Sequence, residues 1–125
     1  MLQVENSTHD SVTISWQPGF NGGKQQYFRL RYRMKDSKTY NYVDVYERDV
    51  YSFTVTGLSL NTEYFFSIMS SNDMGGSDYA GGYVRAKTLS EYYMLYFFLF
   101  LFKIKKINLK PNMQISSCWN YLDFL

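Results

Sequence analysis

Cysteine is almost missing: Cys118 stands alone among 125 residues, so no disulfide can close within the chain. For the same reason, cysteine usage says nothing about the redox compartment. Histidine is equally scarce. His9 is the only one, and it sits in a turn cluster, Asn6-Ser7-Thr8-His9-Asp10. A catalytic triad, a dyad of buried carboxylates or a zinc cluster would each need partners that the sequence does not supply. No glycine loop ends in Lys-Ser/Thr or opens a helix, so there is no phosphate-binding loop either. The expectation is no enzyme and no cofactor. Charge of one sign is also lacking in most of the chain. Residues 1–89 hold nine lysines and arginines against nine aspartates and glutamates. A balance of this kind leaves no basic field large enough for nucleic acid. The excess lies further on, where Lys103, Lys105, Lys106 and Lys110 face Glu91 and Asp123. The start, Met1-Leu2-Gln3-Val4-Glu5-Asn6, has no basic region followed by an apolar run, so it does not read as a signal peptide.

What is present is strand alternation. Val12, Ile14 and Trp16 point one way and Thr13, Ser15 and Gln17 the other. Phe28, Leu30, Tyr32 and Met34 alternate with Arg29, Arg31, Arg33 and Lys35, giving one apolar and one cationic face. Tyr40 to Glu47 alternates less cleanly, as an edge strand does. Tyr51, Phe53 and Val55 follow, and then a long strand with Tyr64, Phe66, Ile68 and Ser70 on one face and Phe65, Ser67 and Met69 on the other. Leu2 and Val4 read as the end of a first strand cut short, and a last strand lies near Gly82 to Thr88. Glycine loops punctuate the set at Phe20-Asn21-Gly22-Gly23 and Met74-Gly75-Gly76-Ser77-Asp78. Turn geometry accounts for these glycines, and Phe20 is expected to cap the end of the core. Loops on a rigid sandwich do often bind, but neither carries an obvious ligand motif. These signals predict an all-β fold, a seven-stranded antiparallel β-sandwich, over residues 1–89. A domain of about 90 residues buries roughly 60–65 % of its unfolded surface, enough to fold without staples.

The connection Gly57-Leu58-Ser59-Leu60-Asn61-Thr62-Glu63-Tyr64 organises the rest. A leucine, a turn and then Thr-x-Tyr opening a strand pin the corner between two sheets. The tyrosine ring enters the core and its hydroxyl bonds to backbone a few residues upstream. Trp16, the Leu58…Thr62-x-Tyr64 corner, Asn72 before a glycine loop and the absence of core cysteine together resemble a fibronectin type III domain. An immunoglobulin domain would normally place a cysteine on each of two facing strands. A narrower likeness lies in Trp16-Gln17-Pro18-Gly19-Phe20-Asn21-Gly22-Gly23, Tyr42-Val43-Asp44-Val45 and Phe53-Thr54-Val55-Thr56-Gly57-Leu58. This resembles the membrane-proximal type III domain of nephrin-like and sidestep-like adhesion receptors. The resemblance implies a non-catalytic module on the extracellular side of the plasma membrane, binding protein partners, namely other adhesion receptors. Two departures, no preceding immunoglobulin domain and a tail unlike an anchor, imply a fragment of a larger receptor. An intracellular structural spacer is the alternative, since the lack of disulfides permits it.

Trp16, Leu58 and Tyr64 are expected as structural core. Arg29, Arg31 and Arg33, with Phe65 and Met69 beside them on the adjoining strand, form a candidate protein contact, because arginine with aromatic neighbours is hot-spot chemistry. A solvated face whose arginine stems cover apolar side chains explains the same row. Asn6-Ser7-Thr8 is an N-glycosylation acceptor sequence, placed in the turn cluster.

Residues 90–125 change character: Tyr92 to Phe102 is an unbroken apolar run, followed by Lys103-Ile104-Lys105-Lys106. As a helix this run measures roughly 16 Å, about half a bilayer core. A short or interfacial membrane segment, an irregular aggregation-prone tail and translated non-coding sequence all fit.

Overall fold

The computed structural model describes residues 1–79 and 82–107; Cys118 and the rest of the tail lie outside the described residues. Strands β1 (Leu2–Ser7), β2 (Val12–Trp16) and β5 (Ser52–Val55) form one sheet in the order β1-β2-β5. Strands β3 (Tyr27–Met34), β4 (Asn41–Val45), β6 (Glu63–Asn72), β7 (Gly75–Gly76) and β8 (Val84–Lys87) form the other, with β3 between β4 and β6. Every pairing is antiparallel. The β-branched alternation of β2 buries Val12, Ile14 and Trp16, and the inner face of β6 buries Tyr64, Phe66 and Ile68. Trp16, Leu58 and Tyr64 all belong to one core cluster, in which Phe28, Leu30 and Val45 lie on the same sheet as Tyr64 and face the sheet of Trp16. Trp16 meets Phe28 across the layers with ring centroids 5.3 Å apart.

The corner between β5 and β6 closes by side-chain hydrogen bonds. The backbone N–H of Ser59 donates to the Tyr64 hydroxyl at 2.9 Å, five residues downstream. Gly57 and Asn61 take the positive φ values, 72° and 49°, that the reversal requires. A second group, Thr88, completes it. Its hydroxyl donates to the Ser59 carbonyl at 2.6 Å and accepts the Thr62 N–H at 2.9 Å, and its own N–H reaches the Thr62 carbonyl. Leu89 N–H then donates to the Thr8 carbonyl, tying the segment after β8 to the turn that follows β1.

Four details differ from the alternation pattern. The Gly75–Gly76 loop is itself a two-residue ladder on β6, because Asn72 accepts the Met74 N–H and turns the chain back on itself. Asn6 lies in β1 rather than in a turn, just past a bulge at Glu5, and is exposed opposite Thr13. Phe20 does not cap the core. It is 97 % exposed, on a loop held by the Gly23 N–H to Asn21 Oδ1 bond. Met34, read as inward, is exposed because β3 there runs past its last pair with β4 at Tyr32–Asn41.

Helix α1 (Glu91–Ile107) forms where leucine and aromatic residues carry a single β-branched side chain before its last residue, Ile104. Glu91 in its first turn and Lys105 and Lys106 in its last complement the helix dipole. Its 17 residues span about 25 Å. No helix among the described residues is long and apolar enough to cross a membrane.

Candidate protein-contact site

The outer face of the β4-β3-β6-β8 sheet carries the arginine row. Register sets its neighbours: Arg29 pairs with Asp44 and Met69, Arg31 with Tyr42 and Ser67, and Arg33 with Phe65. All five expected contact residues therefore share this surface. Three like charges at alternate positions would repel, and the fold gives each a different environment.

Arg29 is neutralised. Its guanidinium grips Asp44 with two parallel bonds, Nε to Oδ1 at 2.5 Å and Nη2 to Oδ2 at 2.8 Å. The Tyr46 hydroxyl donates to the same carboxylate at 3.0 Å. Hydrogen bonding from Arg29 holds the Asp44 carboxyl below its ordinary value, and the same bonds raise the arginine. A depressed carboxylate favours the fold above its unfolded pKa of about 3.9, and this contribution disappears as pH falls through the lower folded value. Carbon-detected NMR titration of Asp44 is expected to give a midpoint below that of a free aspartate, and Arg29→Ala is expected to return it to the usual range. The pair is largely open to solvent, so the effect on stability is small.

Arg33 is a latch. Its Nη1 donates to the carbonyls of Met34, Lys35 and Ser37, at 3.2, 2.8 and 2.9 Å, in the turn after β3, where the Met34 carbonyl also accepts the Ser37 N–H. Its guanidinium also lies 4.9 Å from the centre of the Phe65 ring.

Arg31 is held by rings. Its guanidinium carbon is 3.7 Å from the centre of Tyr79 and 4.6 Å from that of Tyr40. Its Nε is buried and has no hydrogen-bond partner among the described residues. Phe65 packs on Tyr83 at 4.5 Å, and together these side chains wall a groove of about 180 Å³ lined by Arg31, Arg33, Tyr40, Phe65, Ser67, Tyr79, Gly82 and Tyr83. Burial raises the Tyr79 hydroxyl above its ordinary pKa, so the ring meets the cation as a neutral phenol. Met69 lies apart from this groove, where its methyl group packs near Gly76.

Tyr40, Tyr79 and Tyr83 were not marked by the sequence reading. The first was within reach, because extending the β3–β4 alternation by two residues from Tyr42 puts Tyr40 on the arginine face. Tyr79 follows from the path of an irregular loop, for which no period exists. Away from this face, no group of histidine, cysteine, aspartate and glutamate that could hold a metal occurs among the described residues.

The profile of the fibronectin type III domain matches residues 1–81. Human nephrin is 39 % identical over 79 residues, which is 63 % of this chain and 6 % of nephrin. The receptor-type tyrosine-protein phosphatase F of Danio rerio is 35 % identical over 74 residues, 59 % of this chain and 4 % of that protein. In three dimensions, a crystal structure of titin domains superposes with a TM-score of 0.61 at 22 % identity, over 72 % of this chain and 31 % of that one. That likeness is one of fold. The chain thus spans a small part of the length of the curated relatives it matches.

Proposed function

Because the chain belongs to the fibronectin type III family, whose profile covers residues 1–81, we propose that it is a non-catalytic adhesion module of a nephrin-like receptor, working at the outer side of the plasma membrane. The observation that carries this reading is the outer sheet face, where one arginine is left between aromatic rings while its two neighbours are used internally. Fully committed charges make poor hot spots. An arginine framed by tyrosines is the composition that binding interfaces concentrate. The mechanism is presentation: a stiff two-layer scaffold fixes the spacing of the contact, and weak individual contacts gain strength through multiplicity on a cell surface.

Asn6 supports the extracellular location, since it is exposed on β1, an edge strand of its sheet, with Thr8 two residues on. Expressed through a secretory pathway with an added leader, the chain is expected to carry glycan at Asn6 that peptide-N-glycosidase removes and that Thr8→Ala abolishes. A glycan-free chain found natively in cytosol contradicts the location and favours the second reading, an intracellular spacer; the structural likeness to titin domains is compatible with that reading as fold alone.

The same proposal gives α1 a lipid-facing role. Its side chains from Tyr96 to Phe102 are exposed and apolar, and Lys103, Lys105 and Lys106 follow them. This is the order of an interfacial segment with an aromatic, apolar stretch and a cationic end at the headgroup level. Release from membranes by carbonate without detergent removes that role.

A further inference from the structure

We propose that the Arg31 groove is a receptor for a single carboxylate side chain, an aspartate or glutamate presented by a protein partner next to an apolar residue. The inference rests on the reading above that this face binds protein, and names the chemistry it recognises.

A guanidinium has five N–H donors in one plane and no acceptor. Rings packed against a guanidinium, as Tyr79 and Tyr40 are against Arg31, interact through their π systems and supply no partner to its N–H edge, and Arg31 Nε has none among the described residues. Among the described residues, no carboxylate lies within ion-pair distance of Arg31. The neighbouring guanidiniums differ in just this respect: Arg29 has Asp44 and Arg33 has three carbonyls. Among the described residues lining the groove none is acidic, and two are arginines. The potential inside is therefore positive, and the rings of Phe65 and Tyr83, packed at 4.5 Å, place apolar surface beside the cation. Stacking also fixes the orientation of the guanidinium before binding, which reduces the conformational entropy lost when a planar, two-oxygen acceptor docks.

The number of charges separates a protein carboxylate from a polyanion. A sulfated glycan or nucleic acid gains affinity by releasing counterions along a row of free cations. Here the row is spent at Arg29, and residues 1–89 carry no net charge. One uncommitted fork suits one carboxylate, and the apolar walls suit the side chain beside it.

The probe is a short blocked peptide with one glutamate between two leucines, compared with its glutamine counterpart and with a heparin oligosaccharide. The readout is the Nε–Hε signal of Arg31 in nitrogen-15 NMR of the full chain. The glutamate peptide is expected to shift that signal saturably, and the glutamine peptide to bind at least about 10-fold more weakly, as loss of a charge-assisted bond implies. Arg31→Lys, which keeps the charge and loses the fork, is expected to weaken binding by a similar factor while the backbone spectrum stays folded. Equal binding of both peptides, no shift of Arg31 at saturating peptide, or tighter binding of heparin than of the peptide each overturns the subsite. Because the titration uses no receptor, it separates the two claims: a silent Arg31 removes the carboxylate subsite alone, and adhesion that ignores this face removes the functional reading.

Discussion

Phe66→Ala is expected to lower the stability of the sandwich by about 3–5 kcal/mol, the usual cost of deleting a buried aromatic ring. Phe66 is fully buried in the middle of β6, stacked on Tyr32 at 5.7 Å and beside Tyr64 at 6.3 Å. Its backbone pairs with both β3 and β8, so the surrounding strands cannot move in to fill the space. A domain with a total stability of about 5–15 kcal/mol loses a large share of it in one step. Urea unfolding followed by tryptophan fluorescence measures the change as a fall in midpoint at constant slope. A loss below about 1.5 kcal/mol, the range of a volume-conserving swap, means that this side chain is not in a close-packed interior.

Thr88→Val is the second large effect, and its origin is polar rather than apolar. The side chain is 2 % exposed, and valine matches its shape. What disappears is the hydroxyl that accepts from Thr62 N–H and donates to the Ser59 carbonyl, leaving two backbone groups of the corner without that partner. A fully buried orphan costs about 1–3 kcal/mol, and because Thr62 is half-buried and Ser59 exposed, water recovers part of this, so the expected loss is about 1–3 kcal/mol in all. Tyr64→Phe withdraws the acceptor of Ser59 N–H from the same few residues. The double variant is expected to lose less than the two single losses added together, since both bonds hold one turn and the first loss loosens it for the second. Strict additivity would mean that the two hydroxyls act on separate structures.

The strands and the corner were legible because each is written in adjacent residues. Alternation in β2, β3 and β6 assigns faces without knowledge of partners, and Leu58 with Thr62 and Tyr64 encodes a turn whose bonds are local. Thr88 was not legible as a corner residue: it stands 26 positions from Thr62, and a threonine at the end of a strand looks like any other. The same limit applies on the functional face. Three arginines at alternate positions must share a surface, and that much follows from the period of two. Which of them stays available depends on the β3–β4 register, which puts Asp44 opposite Arg29, and on the loop that brings Tyr79 over Arg31. Register is set by the turn at Asp36 to Thr39 and the loop path by tertiary packing, and neither repeats with any period. Asn6 illustrates the converse: its surroundings read as a turn, and a one-residue bulge at Glu5 extends the strand past it.

The role of the outer face as an adhesive surface is tested most directly by display. Cells carrying the chain on a lipid-anchored carrier are measured for attachment to cells bearing nephrin-type receptors, with the unaltered chain and with the Arg31→Ala/Phe65→Ala double variant, whose fold is checked by its urea midpoint. The expected result is attachment by the unaltered chain and at least about a 10-fold loss in the folded double variant, the effect of removing two central contacts. Equal attachment by both chains would contradict the account.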